Sequence, residues 1–378
     1  MKTKVSLDNN TQVFFELVRA GLLEKEVQLA PYGEIEFSEI LKLATEQSVV
    51  GLVAAGLEHV KDVKIPQEWT LQFIGSTLQI EQRNKAMNEF VEKLITLLRK
   101  NDIYALLVKG QGIAQCYEKP LWRASGDVDL LLSDSNYEKA KKLLTPLATE
   151  VETEFTHFKH QGMTIDSWVV ELHGTLHSRL SRRVDNMIDS VQGNVFYGGE
   201  VRSWQNGNTQ VFLPSPDNDV IFVFTHILHH FFFEGIGLRQ ICDWCRLLFC
   251  YCEKLDIRLL ETRIRKAGLM TEWKAFASFA VEYLGMPVEA MPLYDADERW
   301  KRKADGICQF VMEVGNFGHN KQVQGSKVNV QGYFWRKFNS FWGRLSDMLR
   351  HFKLFPKDSI VFFGGVLRSG LHAAVRGE

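Results

Sequence analysis

RASGDVDLLL, the ten residues from Arg123 to Leu132, decides how the rest of the chain is read. Side chains on a strand alternate between faces, so Asp127 and Asp129 point one way while Val128, Leu130 and Leu132 point into a core. Two carboxylates one strand pitch apart repel each other. A hard divalent ion relieves that repulsion, and Mg²⁺ takes one or two carboxylates together with phosphate oxygens. A bare D-x-D also fits two solvated acids on an edge strand, so the flanking sequence has to discriminate.

Upstream, IYALLVKG from Ile103 to Gly110 is a short apolar run ending at glycine, which suits a buried strand, and QGIAQCY after it suits one or two helical turns. Lys109-Gly110-Gln111-Gly112 closes that strand, where glycine lets the backbone approach a phosphate and a helix start offers free N–H groups; a plain turn glycine explains the same residues. Downstream, DSNYEKAKKLLTPL carries Ser135 with Glu138 three residues later, a capping-box spacing that starts a helix ending near Pro146. Two strands are expected next, EVETEFTHFKH and MTIDSWVVELHGTL, joined by a turn at Gln161-Gly162. Alternation along the second places Ile165, Val169, Glu171 and His173 on one face, with Trp168, Val170 and Leu172 on the other. If this strand lies beside Asp127, Glu171 adds a third carboxylate and the set can hold two metal ions for phosphoryl chemistry. A surface ion pair for Glu171 is the alternative. EVRSW and TQVFLP, around Gln205–Asn208, read as one more hairpin.

Both ends of the chain are helical in pattern. Residues 8 to about 100 culminate in LQIEQRNKAMNEFVEKLITLLRK, with apolar residues at helical spacing, and helices return beyond Pro216. The spacing predicts an α+β protein: an N-terminal helical region (1–78), a small mixed-sheet core (79–215) and a C-terminal helical region (216–378). The stretch from Gly318 reads as a loop, and the basic, aromatic tail beyond it is unassigned. With 378 residues, 45% hydrophobic and 24% charged, the chain is neither disordered nor fibrous. A net charge of -1 argues against wrapping duplex nucleic acid. No secretion signal or membrane-spanning run stands out, because the apolar windows at Val220 and Ser359 are too short, so a cytoplasmic protein is expected.

Two side-chain groups invite a metal reading and have plainer ones, and Asp243 has an ordinary one as well. His226, His229 and His230 share a helical face, but the helix shows no acid or cysteine at suitable spacing, so packing is expected. Cys242, Cys245, Cys250 and Cys252 lie along one apolar helix, unlike zinc pairs on turns, and are expected as reduced thiols with no zinc. Asp243 is expected to make an intrahelical ion pair with Arg239 or Arg246.

Leu107-Val108-Lys109-Gly110, Tyr117, Arg123-x-Ser125-Gly126-Asp127-Val128-Asp129 and Glu171-Leu172-His173 together resemble nucleotidyltransferases of the DNA polymerase β type. More closely they are similar to an uncharacterised bacterial nucleotidyltransferase family, and the string is also similar to abortive-infection toxin nucleotidyltransferases. The resemblance covers roughly residues 80 to 250. It implies transfer of a nucleotidyl group from an NTP to an acceptor hydroxyl (sugar, small metabolite, protein side chain or RNA end), with Mg²⁺ or Mn²⁺. Asp127, Asp129 and Glu171 would be catalytic and metal-binding; Lys109, Gly110, Arg123 and Ser125 would hold the triphosphate. The chain departs from the pattern at Gln111, where a small residue is usual and a bulkier one crowds the phosphates. That departure motivates the rival reading, a nucleotide-binding or protein-interaction module without turnover.

Overall fold

The structure is a computed structural model describing residues 7–154, 159–315 and 350–362; the expected loop from Gly318 lies outside the described residues, as do most of the tail and part of the expected strand EVETEFTHFKH. The expected α+β architecture holds. Four N-terminal helices, α1 (Asn9–Leu23), α2 (Phe37–Glu46), α3 (Val50–Glu58) and α4 (Gln67–Lys100), lead into a seven-stranded mixed sheet. Its strands are β1 (Ala105–Val108), β2 (Asp127–Leu132), β3 (Glu150–Val151), β4 (His160–Ile165), β5 (Trp168–His173), β6 (Val201–Asn206) and β7 (Thr209–Pro214), in spatial order β3-β4-β5-β2-β1-β7-β6. Helices α5 (Gly110–Ala114), α6 (Asp134–Leu144) and α7 (Arg182–Gly198) connect them, and α8 (Pro216–Phe233), α9 (Leu238–Cys250), α10 (Ile257–Ala267), α11 (Met270–Leu284) and α12 (Glu298–Val314) follow.

β2 is central, antiparallel to β1 and parallel to β5, and its last five residues are buried. That explains the run of leucines: a strand covered on both sides is apolar on both. Val128, Leu130 and Leu132 join a core with α4 and α6, including Phe90, Leu94 and Tyr137. The opposite face, carrying Leu131, joins the larger core made with α7, α8 and α9. Asp127 and Asp129 lie on that second face, so the helices beyond Pro214 form the far wall of whatever the aspartates face.

Local differences from expectation have identifiable causes. β4 and β5 turn at Asp166-Ser167, both with positive φ, and not at Gln161-Gly162, which lie inside β4. Left-handed φ at both positions is what a two-residue hairpin turn needs. The turn resets the alternation: Ile165 pairs with Trp168 and packs with Val170 and Leu172, not on the Glu171 face. The cap of α6 is Ser133, not Ser135. Helix α7 was not anticipated; Ser181 caps it by accepting from the Val184 N–H.

Candidate functional site

Pairing of β2 with β5 places Asp129 opposite Glu171 and Leu131 opposite His173. Adjacent strands run ~4.8 Å apart, so Asp127, Asp129 and Glu171 converge on one face as alternation requires. Lys109, at the end of β1, donates from Nζ to Asp129 Oδ1 at 2.8 Å. Its backbone sits at φ +57°, ψ -144°, a conformation costing of the order of 1–3 kcal/mol for a residue with a side chain. Gly110 follows at φ +38°, where glycine is at ease, and its backbone skirts Asp127. The chain therefore bends sharply where β1 delivers its one lysine to the acids.

Two histidines complete the group. His173 Nε2 lies 2.8 Å from Asp129 Oδ1 and 3.4 Å from Glu171 Oε2, while His160 Nε2 approaches the same Glu171 oxygen at 3.3 Å. His160 and His173 are direct cross-strand partners, so the hairpin register sets the pair. Their donor atoms and that of Glu171 lie within 4.8 Å of one another. A carboxylate only accepts, so His173 carries its proton on Nε2.

These contacts divide the carboxylates electrostatically. Burial opposes ionisation of Glu171, but the hydrogen bonds from His160 and His173 outweigh it and hold its carboxyl well below the usual range. Burial likewise opposes ionisation of Asp129, and the Lys109 charge and His173 overcome it. Asp127 goes the other way: the Asp129 charge, with burial behind it, pushes its carboxyl up. Among the described residues no hydrogen bond or ion pair reaches Asp127.

Lys109, Gly110, Arg123, Asp127, Asp129 and Glu171 all line one cavity of about 420 Å³, within the range that holds small-molecule ligands. Ser125 is not part of its lining: it is buried, accepts from Arg123 Nη1 at 2.8 Å and donates to Gln111 Oε1 at 3.2 Å. Gln111 is also turned away, its amide donating to Asn84 Oδ1 at 3.3 Å, so its side chain does not crowd the cavity. Asn84, on α4, donates to the Leu121 and Arg123 carbonyls at 2.8 and 2.7 Å and fixes the loop entering β2.

Asp243 is not in an intrahelical pair. It accepts from Arg123 Nε at 3.1 Å, Arg123 Nη2 at 2.6 Å and the Tyr117 hydroxyl at 2.9 Å, joining α9 to the loop before β2. Arg239 donates instead to the Ala124 carbonyl and Arg246 to the Cys116 and Leu22 carbonyls, because tertiary acceptors lie closer to hand than a neighbouring turn.

The histidines of α8 line the same cavity from the opposite wall. His230 Nε2 lies 3.1 Å from His226 Nε2, His230 Nδ1 is 2.8 Å from Glu234 Oε2, and His229 Nδ1 donates to the Ser178 carbonyl at 2.8 Å. Contrary to the expectation of no acid at suitable spacing, Glu234 lies at i+4 from His230, just past the end of the helix. Sequence reasoning also missed His160, whose signal was available only from the correct hairpin register. All six cysteines are free, and Cys242 and Cys245 are buried along α9. Among the described residues no helix is long and apolar enough to cross a membrane.

A family model described as "Uncharacterised nucleotidyltransferase" matches residues 33–285. No curated protein and no solved structure matches the chain.

Proposed function

The chain belongs to this uncharacterised nucleotidyltransferase family, and from that membership we propose that it moves a nucleotidyl group from an NTP to an acceptor hydroxyl with the help of Mg²⁺ or Mn²⁺. The observation that carries the proposal is the strand register: Asp129 and Glu171 stand side by side, with Asp127 one pitch along and left without a partner. A divalent ion fits this donor set. Lys109 and His173 both lie against Asp129 Oδ1, the place a cation would take, and Asp127 feels Lys109 and Arg239 only at a distance, without a direct ion pair.

Asp127, Asp129 and Glu171 would hold the metal, which when bound neutralises phosphate charge and lowers the pKa of the attacking hydroxyl. Lys109 would then turn from Asp129 to the triphosphate, with the Gly110 backbone beneath it. Arg123, held by Asp243 and reaching the cavity, would steady a phosphate oxygen with an N–H it does not give to Asp243; Ser125 would act through Arg123 by fixing its guanidinium. Glu171, kept ionised by its two histidines, would accept a hydrogen bond from the acceptor hydroxyl and aim it. The rival module without turnover rested on Gln111, and the inward turn of that side chain removes its motive.

Screening the four NTPs with Mg²⁺ or Mn²⁺ for pyrophosphate release against a panel of sugars, metabolites, proteins and RNA ends tests the reaction. Glu171→Gln should keep NTP binding and slow transfer by ~10²–10⁴-fold. A variant that turns over at the wild-type rate, or a wild type that binds none of the four NTPs, overturns the proposal.

A further inference from the structure

The three carboxylates are not the whole donor set. His160 Nε2 and His173 Nε2 both converge on a single oxygen, Glu171 Oε2, at 3.3 and 3.4 Å. Neither imidazole stacks face to face on the other: the rings are 4.8 Å apart and inclined by 39°. His160 and His173 face each other directly across β4 and β5, and opposite Glu171 stands Gly162, over which the Glu152 carboxylate packs. Without a cation, both Nε2 atoms lie against one carboxylate oxygen while His173 shares its N–H with Asp129 Oδ1; an ion bound at the two Nε2 atoms would have each imidazole carry its remaining proton on Nδ1.

We propose that His160, Glu171 and His173 form a second metal position of N₂O character, beside the all-oxygen position at Asp127 and Asp129, and that it takes a first-row divalent ion (Fe²⁺, Co²⁺ or Zn²⁺, and more weakly Mn²⁺) in preference to Mg²⁺. Two ligands on one ion are at most ~4.2 Å apart when each bond is ~2.1 Å. The separations from Glu171 already satisfy this, and the outer limit of 4.8 Å within the set requires a small rotation of partly buried His160 toward His173. Imidazole nitrogen suits the later first-row ions, whereas Mg²⁺ keeps to oxygen and gives up its water reluctantly. The two positions adjoin, because His173 Nε2 is 2.8 Å from Asp129 Oδ1. The inference rests on the reading of Asp127, Asp129 and Glu171 as a cation site and adds to it the identity of the ion.

The test uses the full chain stripped with a chelator and titrated with Mn²⁺. Continuous-wave electron paramagnetic resonance counts the bound ion, and pulsed measurements read nitrogen in its coordination sphere. Bound Mn²⁺ should show imidazole ¹⁴N modulation that changes on labelling the wild-type protein with [¹⁵N]histidine, and His160→Gln or His173→Gln should weaken binding by about tenfold or more. The labelling arm needs no variant, so a folding defect cannot hide the answer. Bound Mn²⁺ without nitrogen modulation overturns this inference and leaves the carboxylate site standing. Failure to bind Mn²⁺ with or without NTP overturns both.

Discussion

Asp127→Asn is expected to make the metal-free protein more stable while removing its response to metal and nucleotide. Asp127 and Asp129 share a face two residues apart on β2, a spacing of ~6.7 Å. At an effective dielectric near 20, unit charges at that distance repel by ~2.5 kcal/mol. Lys109 is bonded to Asp129 and offsets part of this, and Asp127 is only half-buried, so solvent screens more of it. What remains is on the order of 1 kcal/mol, relieved by a nearly isosteric amide, and equivalent to a melting-temperature rise of roughly 1–3 °C. Mg²⁺ with NTP at about a hundred times its Kd stabilises the wild type by ~2.7 kcal/mol. Asn gives up a charged ligand and forfeits most of that gain. The ranking of the two proteins should therefore invert between chelator and Mg²⁺-NTP in thermal unfolding followed by circular dichroism. If Asp127→Asn melts below wild type in chelator and still rises equally with Mg²⁺-NTP, then Asp127 is a structural acid and the cation site is elsewhere.

Asp243→Ala strips both Arg123 and the Tyr117 hydroxyl of their buried acceptor and should cost ~3–5 kcal/mol in urea unfolding, whereas Arg123→Met with Asp243→Leu should cost clearly less; equal losses would deny the buried pair. Gln111→Ser should destabilise by ~1–2 kcal/mol through its lost bonds to Asn84 and Ser125 and leave NTP affinity unchanged, so a calorimetric gain in affinity would return the side chain to the phosphate path. Burial holds the His226 and His230 imidazoles below their ordinary range. A depressed folded-state value means that stability is fully present above the unfolded value of ~6.5 and drains away as pH falls below it. Urea midpoints should drop toward about pH 5.5, less steeply in His226→Leu, and parallel pH profiles would refute this assignment.

Much of the site was legible because a strand has a period of two. Once RASGDVDLLL is a strand, the shared face of Asp127 and Asp129 follows, and so does that of Glu171 and His173 from VVELH. Whether the two strands are neighbours was a tertiary fact, settled by pairing β5 parallel to β2. The hairpin was misplaced because Gly162 looks like a turn; the real turn uses Asp166 and Ser167, residues that accept left-handed φ without advertising it as Asn-Gly does. That slip hid His160. Asp243 was read within its own helix, but α9 faces the cavity and a buried charge bonds to whatever the fold brings nearest, whereas Glu234 escaped notice because it lies just past the end of α8. The strained backbone at Lys109 left no trace in sequence, since no glycine marks it.

Internal side chains already contact the oxygens that the proposed metal would take. Lys109 and His173 hold Asp129, His160 and His173 hold Glu171, and Asp127 alone makes no direct contact, feeling Lys109 and Arg239 at a distance. On the proposed reading, a divalent ion entering this cluster competes with Lys109 for Asp129 Oδ1 and frees the ammonium within the same cavity. A freed ammonium strengthens triphosphate binding, and triphosphate that captures it strengthens metal binding by the same factor, since coupling between two ligands is reciprocal. The strained backbone fits this role. Lys109 closes a buried strand and opens a short helix, so its Cα cannot follow a departing partner, and only the side chain moves between carboxylate and phosphate. On that reading metal and nucleotide would load as a linked pair through one lysine.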